Sequence, residues 1–310
     1  VKRFVKTDMA LPCVEVKSPK NREFESMPPM TSIARNAALA GLVGLMAPLQ
    51  PAMAAPPPPP PPPSVTYADL ADLADSAPIV LRAEVRKVVQ VEPARAQGVR
   101  PGWARFYVEA RTKALLTGGA PVGEALTYLV DMPLDARGKP TAIKKKLVIL
   151  LARPVRGRPG AIQLVTPDAQ VLWDAGIEAQ LRSILTALIA PDAPGRITGV
   201  REAIHVPGNL QGEGETQIFL QTGDQSAASI TVLRRPNASS VWGASFSEVM
   251  AKTGDVPARD TLPWYRLACF LPAGLPPGSN LSETATARAA AEADYRQVRG
   301  ELGACPRQRR

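Results

Sequence analysis

The sequence predicts an α+β protein, mainly antiparallel β, in which a small barrel or sandwich is followed by a second α+β domain that ends in a helix. Three observations predict it. Short stretches of period-two apolar alternation recur between residues 79 and 173, separated by Gly/Pro-rich turns. Pro191-Asp192-Ala193-Pro194-Gly195 then breaks the pattern, and a further hairpin follows it. Beyond residue 261 the spacing turns helical, first at Trp264, Leu267 and Phe270 and then at Ala291, Tyr295, Val298 and Leu302.

The first segment is an export signal. Ala37 to Leu49 is an uncharged run behind Arg35, and Ala52-Met53-Ala54 sets small residues at −3 and −1 of a bond between Ala54 and Ala55. A positive leader, a short apolar run and such a bond make a secretory signal peptide, here residues 30–54. Proline interrupts the run well short of the ~20 apolar residues that a spanning helix needs, so no transmembrane segment is expected in the mature chain. A signal peptide is N-terminal, which places the start at Met30 or Met27 and makes residues 1–29 an upstream extension. The alternative is a cytosolic tail on an internal hydrophobic segment. Pro56 to Pro63 adopt polyproline II at about 3.1 Å per residue, so residues 55–65 form a stiff spacer. Abundant Ala and Arg with sparse Lys fit a high-GC bacterial genome, and the expected location is periplasmic or secreted in a Gram-negative bacterium.

Of 37 Lys+Arg and 28 Asp+Glu, residues 1–54 hold seven and four, which leaves 30 against 24 in the mature part, a net +6. A surplus of that size, spread along the chain, serves solubility and does not suggest nucleic acid as a partner. Loss of the leader removes Cys13 and leaves Cys269 and Cys305, a pair expected to form a disulfide in an oxidising compartment. Two buried free thiols are the alternative.

Residues 66–190 form the first predicted domain. Tyr67, Leu70, Leu73 and Ala74 share one helical face, and Asp69, Asp72 and Asp75 share another, which reads as a solvated acidic stripe. Strands follow at Ile79 onward, with a phase slip at Arg86-Lys87 that a β-bulge explains, and at Phe106 to Thr112, Ala125 to Met132, Lys146 to Arg153, Ala161 to Thr166 and Gln170 to Trp173. Asp174 caps a helix carrying Ile177, Leu181, Ile184, Leu185 and Leu188. The close of the second strand, Ala114-Leu115-Leu116-Thr117-Gly118, resembles the "vlkG" strand ending of OB-type barrels in exported modules. That resemblance covers about 100 residues by strand rhythm and implies an OB-like barrel. Lys144, Lys145 and Lys146, with Arg137, Lys139, Arg153, Arg156 and Arg158, concentrate positive charge along one strand pair. They are candidates for binding a polyanionic glycan or lipid headgroup, or else a solubilising edge strand. A barrel for single-stranded nucleic acid would need aromatic stacking platforms, which this stretch lacks.

Residues 196–310 form the second predicted domain. Ile197 to Val206 is a strand, and ETQIFLQT and ASITVLRR are joined as a hairpin through Gly223-Asp224. Thr261 caps a helix with Pro263 in its first turn, and the last helix starts near Asn280, with Glu283 as in a capping box, and ends at Gly303. Trp264 and Tyr265 are candidates for an aromatic ligand shelf, although an apolar stripe at helical spacing is ordinarily core. The stretch TLPWYRLACFLPAGLP, residues 261–276, resembles a family of uncharacterised exported proteins of alphaproteobacteria, and the similarity extends through this domain. The resemblance implies export and no activity.

Catalytic signals are few. His205 is the single histidine, and CxxC, Walker and Gly-x-Ser-x-Gly patterns do not occur in the mature chain. A triad built on His205, or an acid/base pair of Glu213 and Glu215, is the sharper reading; a structural histidine near a strand end and glutamates in a solvated loop are the blander ones. Two classes follow: a non-catalytic envelope module binding a protein or glycan, and a hydrolase of envelope polymers. No metal or cofactor is expected.

Overall fold

Helix α1 (Tyr67–Ala74) begins at Thr66, whose side chain accepts from the Asp69 amide while the Asp69 carboxylate accepts from the Thr66 amide, a capping box. The computed structural model describes residues 65–119, 122–249 and 252–309; the expected leader, its Ala54–Ala55 cleavage bond and the proline run lie outside the described residues. A six-stranded sheet follows, made of β1 (Ile79–Gln90), β2 (Trp103–Gly118), β3 (Ala125–Pro133), β4 (Leu147–Pro154), β5 (Ile162–Leu164) and β6 (Gln170–Leu172). Its order is β3-β2-β1-β4-β5, with β6 also paired to β4.

Alternation sets the faces of this sheet. Phe106, Val108 and Ala110 of β2 and Leu126, Tyr128 and Val130 of β3 are buried, and the residues between them point outward. The β1–β2 register shifts between Val85 and Lys87, where the sequence slips phase, and also between Val80 and Leu81 and between Arg82 and Ala83. Such shifts coil a strand, and here the sheet curls until its edge strands β3 and β5 approach each other. A parallel bridge joins Thr127 of β3 to Ala161 beside β5, and the Thr127 and Asp131 amides donate to Gly160 O (2.8 Å) and Pro167 O (2.7 Å). No β3–β5 ladder extends from that isolated bridge among the described residues, so the sheet has an OB-like strand order and stops short of a closed barrel.

Helix α2 (Ala175–Leu188) is capped by Asp174, which accepts from the Gly176 (2.8 Å) and Ile177 (3.2 Å) amides, and it buries Leu181, Ile184 and Leu185. The chain then builds a second antiparallel sheet in the order β10-β9-β8-β7, from β7 (Ile197–Pro207), β8 (Gly214–Thr222), β9 (Ser229–Arg234) and β10 (Val241–Ser245). The β8–β9 connection spans residues 223–228, slightly longer than the four- or five-residue hairpin loop expected through Gly223-Asp224, and Thr222 Oγ1 and the Asp224 carboxylate organise it around Ser226. Helices α3 (Leu262–Phe270) and α4 (Ala285–Leu302) complete the fold, and α4 lies on β7 and β8. Thr284 caps α4, not a residue near Asn280, since residues 279–281 are extended: Ala203 donates to Ser279 O (2.8 Å) and accepts from the Leu281 amide (2.9 Å). That pairing covers the β7 edge, as Gly254 and Asp255 cover β10.

The aspartate stripe of α1 does not simply face solvent: every member is bonded to a distant part of the chain, and only Asp72 keeps about a third of its side chain exposed. Asp69 is 2% exposed and accepts from the Gln308 (3.1 Å) and Arg309 (3.0 Å) amides, and Asp72 binds Arg307 and the Tyr265 hydroxyl, each at 2.6 Å. Asp75 takes a bidentate contact from Arg266, 2.9 Å to each oxygen, and a second one from Arg196. Burial works against the Asp75 charge, but hydrogen bonds from Arg266 and Arg196 hold its carboxyl below the usual carboxylate range. All three acids therefore fasten α1 to residues far along the chain. A disulfide between Cys269 and Cys305, with Cα atoms 5.0 Å apart, holds the tail that supplies Arg307 and the two amides. Buried side chains of both sheets and of α1, α2 and α3 form one core.

Candidate functional site

The outer face of β1, β2 and β3 carries an apolar row where outward positions are expected to be polar. The registers set Val89 opposite Tyr107 and Tyr107 opposite Leu129, and these side chains are 44%, 36% and 50% exposed. Cross-strand neighbours on one face touch, so the three form a continuous strip. Ion pairs bracket it. On one side Lys87 meets Glu109 at 3.0 Å; on the other Arg105 grips Asp131 through two hydrogen bonds of 2.7 and 2.9 Å, which hold the Arg105 guanidinium above its ordinary value.

Beside this strip runs the open seam between β3 and β5. The Thr127 and Asp131 amides point across the seam, and alternation aims the amide and carbonyl of Leu129 the same way. The seam forms a groove of about 590 Å³ lined by Arg105, Tyr107, Leu129, Arg158, Gln163 and Leu164, among others. At its floor Tyr128 donates to Gln170 Oε1 at 2.6 Å, and burial pushes its phenol well above the usual value. Past Asp131, Val165 and Pro167 the groove continues into a second cavity of about 430 Å³ beneath α1 and the tail. Its acids are already engaged: Asp168 pairs with Arg100 (3.0 Å) and Arg309 (3.6 Å), and Asp69 and Asp72 bind the tail. At the opposite end of the groove Arg158 lines it and Arg153 stands across from the lining residue Gln163, with Arg156 in the turn between them; all three are exposed and form no ion pair among the described residues.

The lysine cluster lies elsewhere. Lys144 and Lys145 make a turn before β4, with Lys145 at φ 65°; the Lys145 amide donates to Val85 O (2.8 Å) and Lys146 O accepts from Val85 (3.0 Å). Arg153 lies at the other end of β4 and Arg156 and Arg158 follow it, about 25 Å away at the usual rise per residue. Lys144, Lys145 and Lys146 therefore do not join the arginines in one patch, a correction that follows from strand length. Trp264 and Tyr265 are likewise no ligand shelf: they are 2% and 0% exposed. Trp264 donates to Leu302 O at 2.9 Å, Tyr67 packs edge-on against both rings, and Tyr265 binds Asp72.

His205 and the two glutamates do not assemble a catalytic centre. Thr216 donates to Asp294 Oδ2, so the Thr216 oxygen accepts from His205 Nδ1 at 2.8 Å, and Arg234 donates to Asp294 Oδ1 at 2.7 Å. Thr216 and Asp294 are fully buried, His205 is 7% exposed, and its ring lies on Gly214, where an added Cβ would come within 2.7 Å. Burial lowers the His205 pKa, Arg234 adds to that, and Asp294 opposes it. This network clamps α4 onto β7, β8 and β9. Glu213 accepts from the Asn209 (3.1 Å) and Leu210 (3.2 Å) amides and so closes its own turn, while Glu215 binds Gln217.

Sequence reading missed the groove because its residues come from three strands whose register is set by the fold. One signal was present: Tyr107 alternates with Phe106 and Val108, on the side shared with Arg105 and Glu109. Among the described residues no group of three or more His, Cys, Asp or Glu is placed to hold a metal, and no helix is long and apolar enough to cross a membrane. No protein-family model matches the chain, and the curated proteins yield no match. What the groove does is read from its own residues.

Proposed function

We propose that the chain is an exported binding module of the periplasm that holds a protein or glycan of the cell envelope in the groove between β3 and β5. The observation that carries this reading is the exposed Tyr107 and Leu129 pair, lying at an open seam with unpaired arginines at one end. A concave site with an apolar strip and a few polar groups is built to hold a ligand, and OB-like barrels commonly bind on this face. The export pattern of residues 30–54 supports the compartment, and the Cys269–Cys305 disulfide suits it. The hydrolase reading loses support because His205 and Thr216 are spent on an interior clamp.

Wild type and a Tyr107→Ser/Leu129→Asn double variant are compared for retention on immobilised envelope fractions and for thermal stability. Retention of the wild type, and its loss in a variant that melts at the same temperature, is the expected result. Equal retention of the two proteins sinks the assignment of the groove. Export is tested separately, by intact mass of the protein recovered from the periplasm, whose first residue is expected to be Ala55.

A further inference from the structure

We propose that the ligand of this groove is an extended, acidic peptide segment that pairs with β3 along the open seam. The inference rests on the groove being a binding site and names what fills it.

The argument starts from the main chain. Thr127 and Asp131 spend their seam-facing amides on Gly160 O and Pro167 O, but at Leu129 between them β3 and β5 form no ladder, the Thr127–Ala161 bridge standing isolated. The β3 stretch from residue 127 to 131 is matched by a longer path, from 160 to 167, so the two strands do not stay in register between these bonds. On the facing strand, β5 spends the odd positions on β4, where the Val155 amide donates to Ala161 O and the Val165 amide to Leu151 O, so Ile162 and Leu164 turn their main chain to the seam, the Ile162 amide serving the bridge at Thr127 and Leu164 lying beyond it. Two strands thus present backbone groups to one groove over about 13 Å, the length of four strand residues. A peptide in extended form supplies complementary donors and acceptors at the right spacing, as in strand addition to a sheet edge. A sugar chain lacks that periodic amide pattern.

Side-chain chemistry narrows the peptide. Beside Leu129 the Tyr107 and Leu129 side chains offer an apolar surface that suits one aliphatic or aromatic residue. Arg158 lines the groove, and Arg153 stands across from Gln163, another lining residue; neither has an acidic partner among the described residues. The acids nearest the strip, Glu109 and Asp131, are each already paired, with Lys87 and Arg105. The unsatisfied charge at the groove is therefore positive, and it selects Asp or Glu in the peptide near the Thr127 end. A nucleic-acid strand would bring negative charge too, but the groove offers it the single exposed ring of Tyr107, where a series of stacking platforms is the rule.

The exported full chain is used to select random twelve-residue peptides displayed on phage, and enriched sequences are synthesised for titration followed by backbone amide NMR. Enriched peptides are expected to place Asp or Glu close to an aliphatic or aromatic residue. Arg158→Glu and N-methylation of the central peptide amide are each expected to weaken binding at least tenfold, and the Leu129 amide is expected to gain protection from hydrogen exchange. Failure to enrich any peptide, or binding indifferent to both changes, overturns the inference. Oligothymidylate and peptidoglycan-derived oligosaccharides are titrated in parallel. Shifts at Tyr107 and Leu129 with either of these, and none with peptides, overturn the peptide while keeping the groove as a binding site. Silence of those signals with every probe overturns both.

Discussion

Around α1, Asp69, Asp72 and Asp75 each meet a guanidinium, hydroxyl or amide within hydrogen-bond distance, whereas at the far end of the neighbouring groove Arg153, Arg156 and Arg158 stand in solvent near exposed Tyr107 and Leu129. The contrast is physical. A charge taken out of water is costly unless it is paired and hydrogen-bonded, so the α1 acids come with dedicated partners, and removing one member strands the rest. An arginine left in water costs almost nothing, and an exposed apolar strip costs little. Variants in the first region should therefore damage stability, and variants in the second should damage only what binds there.

The largest effect is expected where the first region is anchored. The Cys269–Cys305 bond spans 36 positions, and the chain-entropy estimate for closing a loop of that size is about 4 kcal/mol. A Cys269→Ser/Cys305→Ser variant should lose close to that amount in urea denaturation, because release of residues 303–309 also withdraws Arg307 from Asp72. A loss below about 1 kcal/mol, the lower reach of the range for disulfides, would show that the tail stays on α1 without its covalent tie. Next comes Asp69→Ala, which leaves the Gln308 and Arg309 amides and the Thr66 cap without the buried carboxylate that accepts from them. Unsatisfied buried donors cost about 1–3 kcal/mol each, partly offset where water enters. The check is the same denaturation curve together with faster hydrogen exchange at Gln308 and Arg309.

The two regions were not equally legible in the sequence. Period-two patterns located β1 to β6, and the bulge near Arg86 was visible as a phase slip, because a half-buried strand writes its faces into alternate residues. Asp174 and Thr261 caps and the cysteine pair were readable for the same local reason. The partners of Asp69, Asp72 and Asp75 were not readable, since Arg196, Arg266 and Arg307 reach them only through tertiary contact, and a local reading makes the stripe solvated. The groove failed for a related reason: Tyr107, Leu129 and Arg158 become neighbours through register and curl. The expected start of α4 near Asn280 shows the same override, a plausible capping box losing to a strand edge that needed covering.

A smaller effect tests whether the second sheet belongs with the paired region. His205 is buried and its pKa lies below the usual value near 6.5, chiefly through burial. As pH falls through 6.5 the unfolded chain takes up a proton that the folded ring resists, so stability should decline from there down to the folded pKa and level off below it. Above 6.5 both forms are neutral and His205 contributes no slope. His205→Gln should be less stable at pH 8, where it loses the contact with Thr216, and should show a flatter profile between pH 6.5 and 5. An unchanged slope would mean that other groups, Asp75 among them, carry the acid sensitivity.

The smallest expected change in stability is the one most informative about function. Tyr107 is 36% exposed on the outer face of β2, opposite Val89 and Leu129, so Tyr107→Ser removes cross-strand contact at a surface position. Surface substitutions of this kind usually move stability by no more than about 0.5 kcal/mol, and cross-strand pairs of this kind contribute roughly 0.2–1 kcal/mol. Unfolding should therefore shift by well under the loss for Asp69→Ala, while ligand retention falls. If Tyr107→Ser instead destabilises the protein by 2 kcal/mol or more, beyond what the cross-strand range allows, the strip is closing the open barrel rather than awaiting a ligand. The comparison would then collapse into one region with a single task, because an outward Tyr and Leu that hold β2 to β3 have the same structural role as the aspartates that hold α1 to the tail.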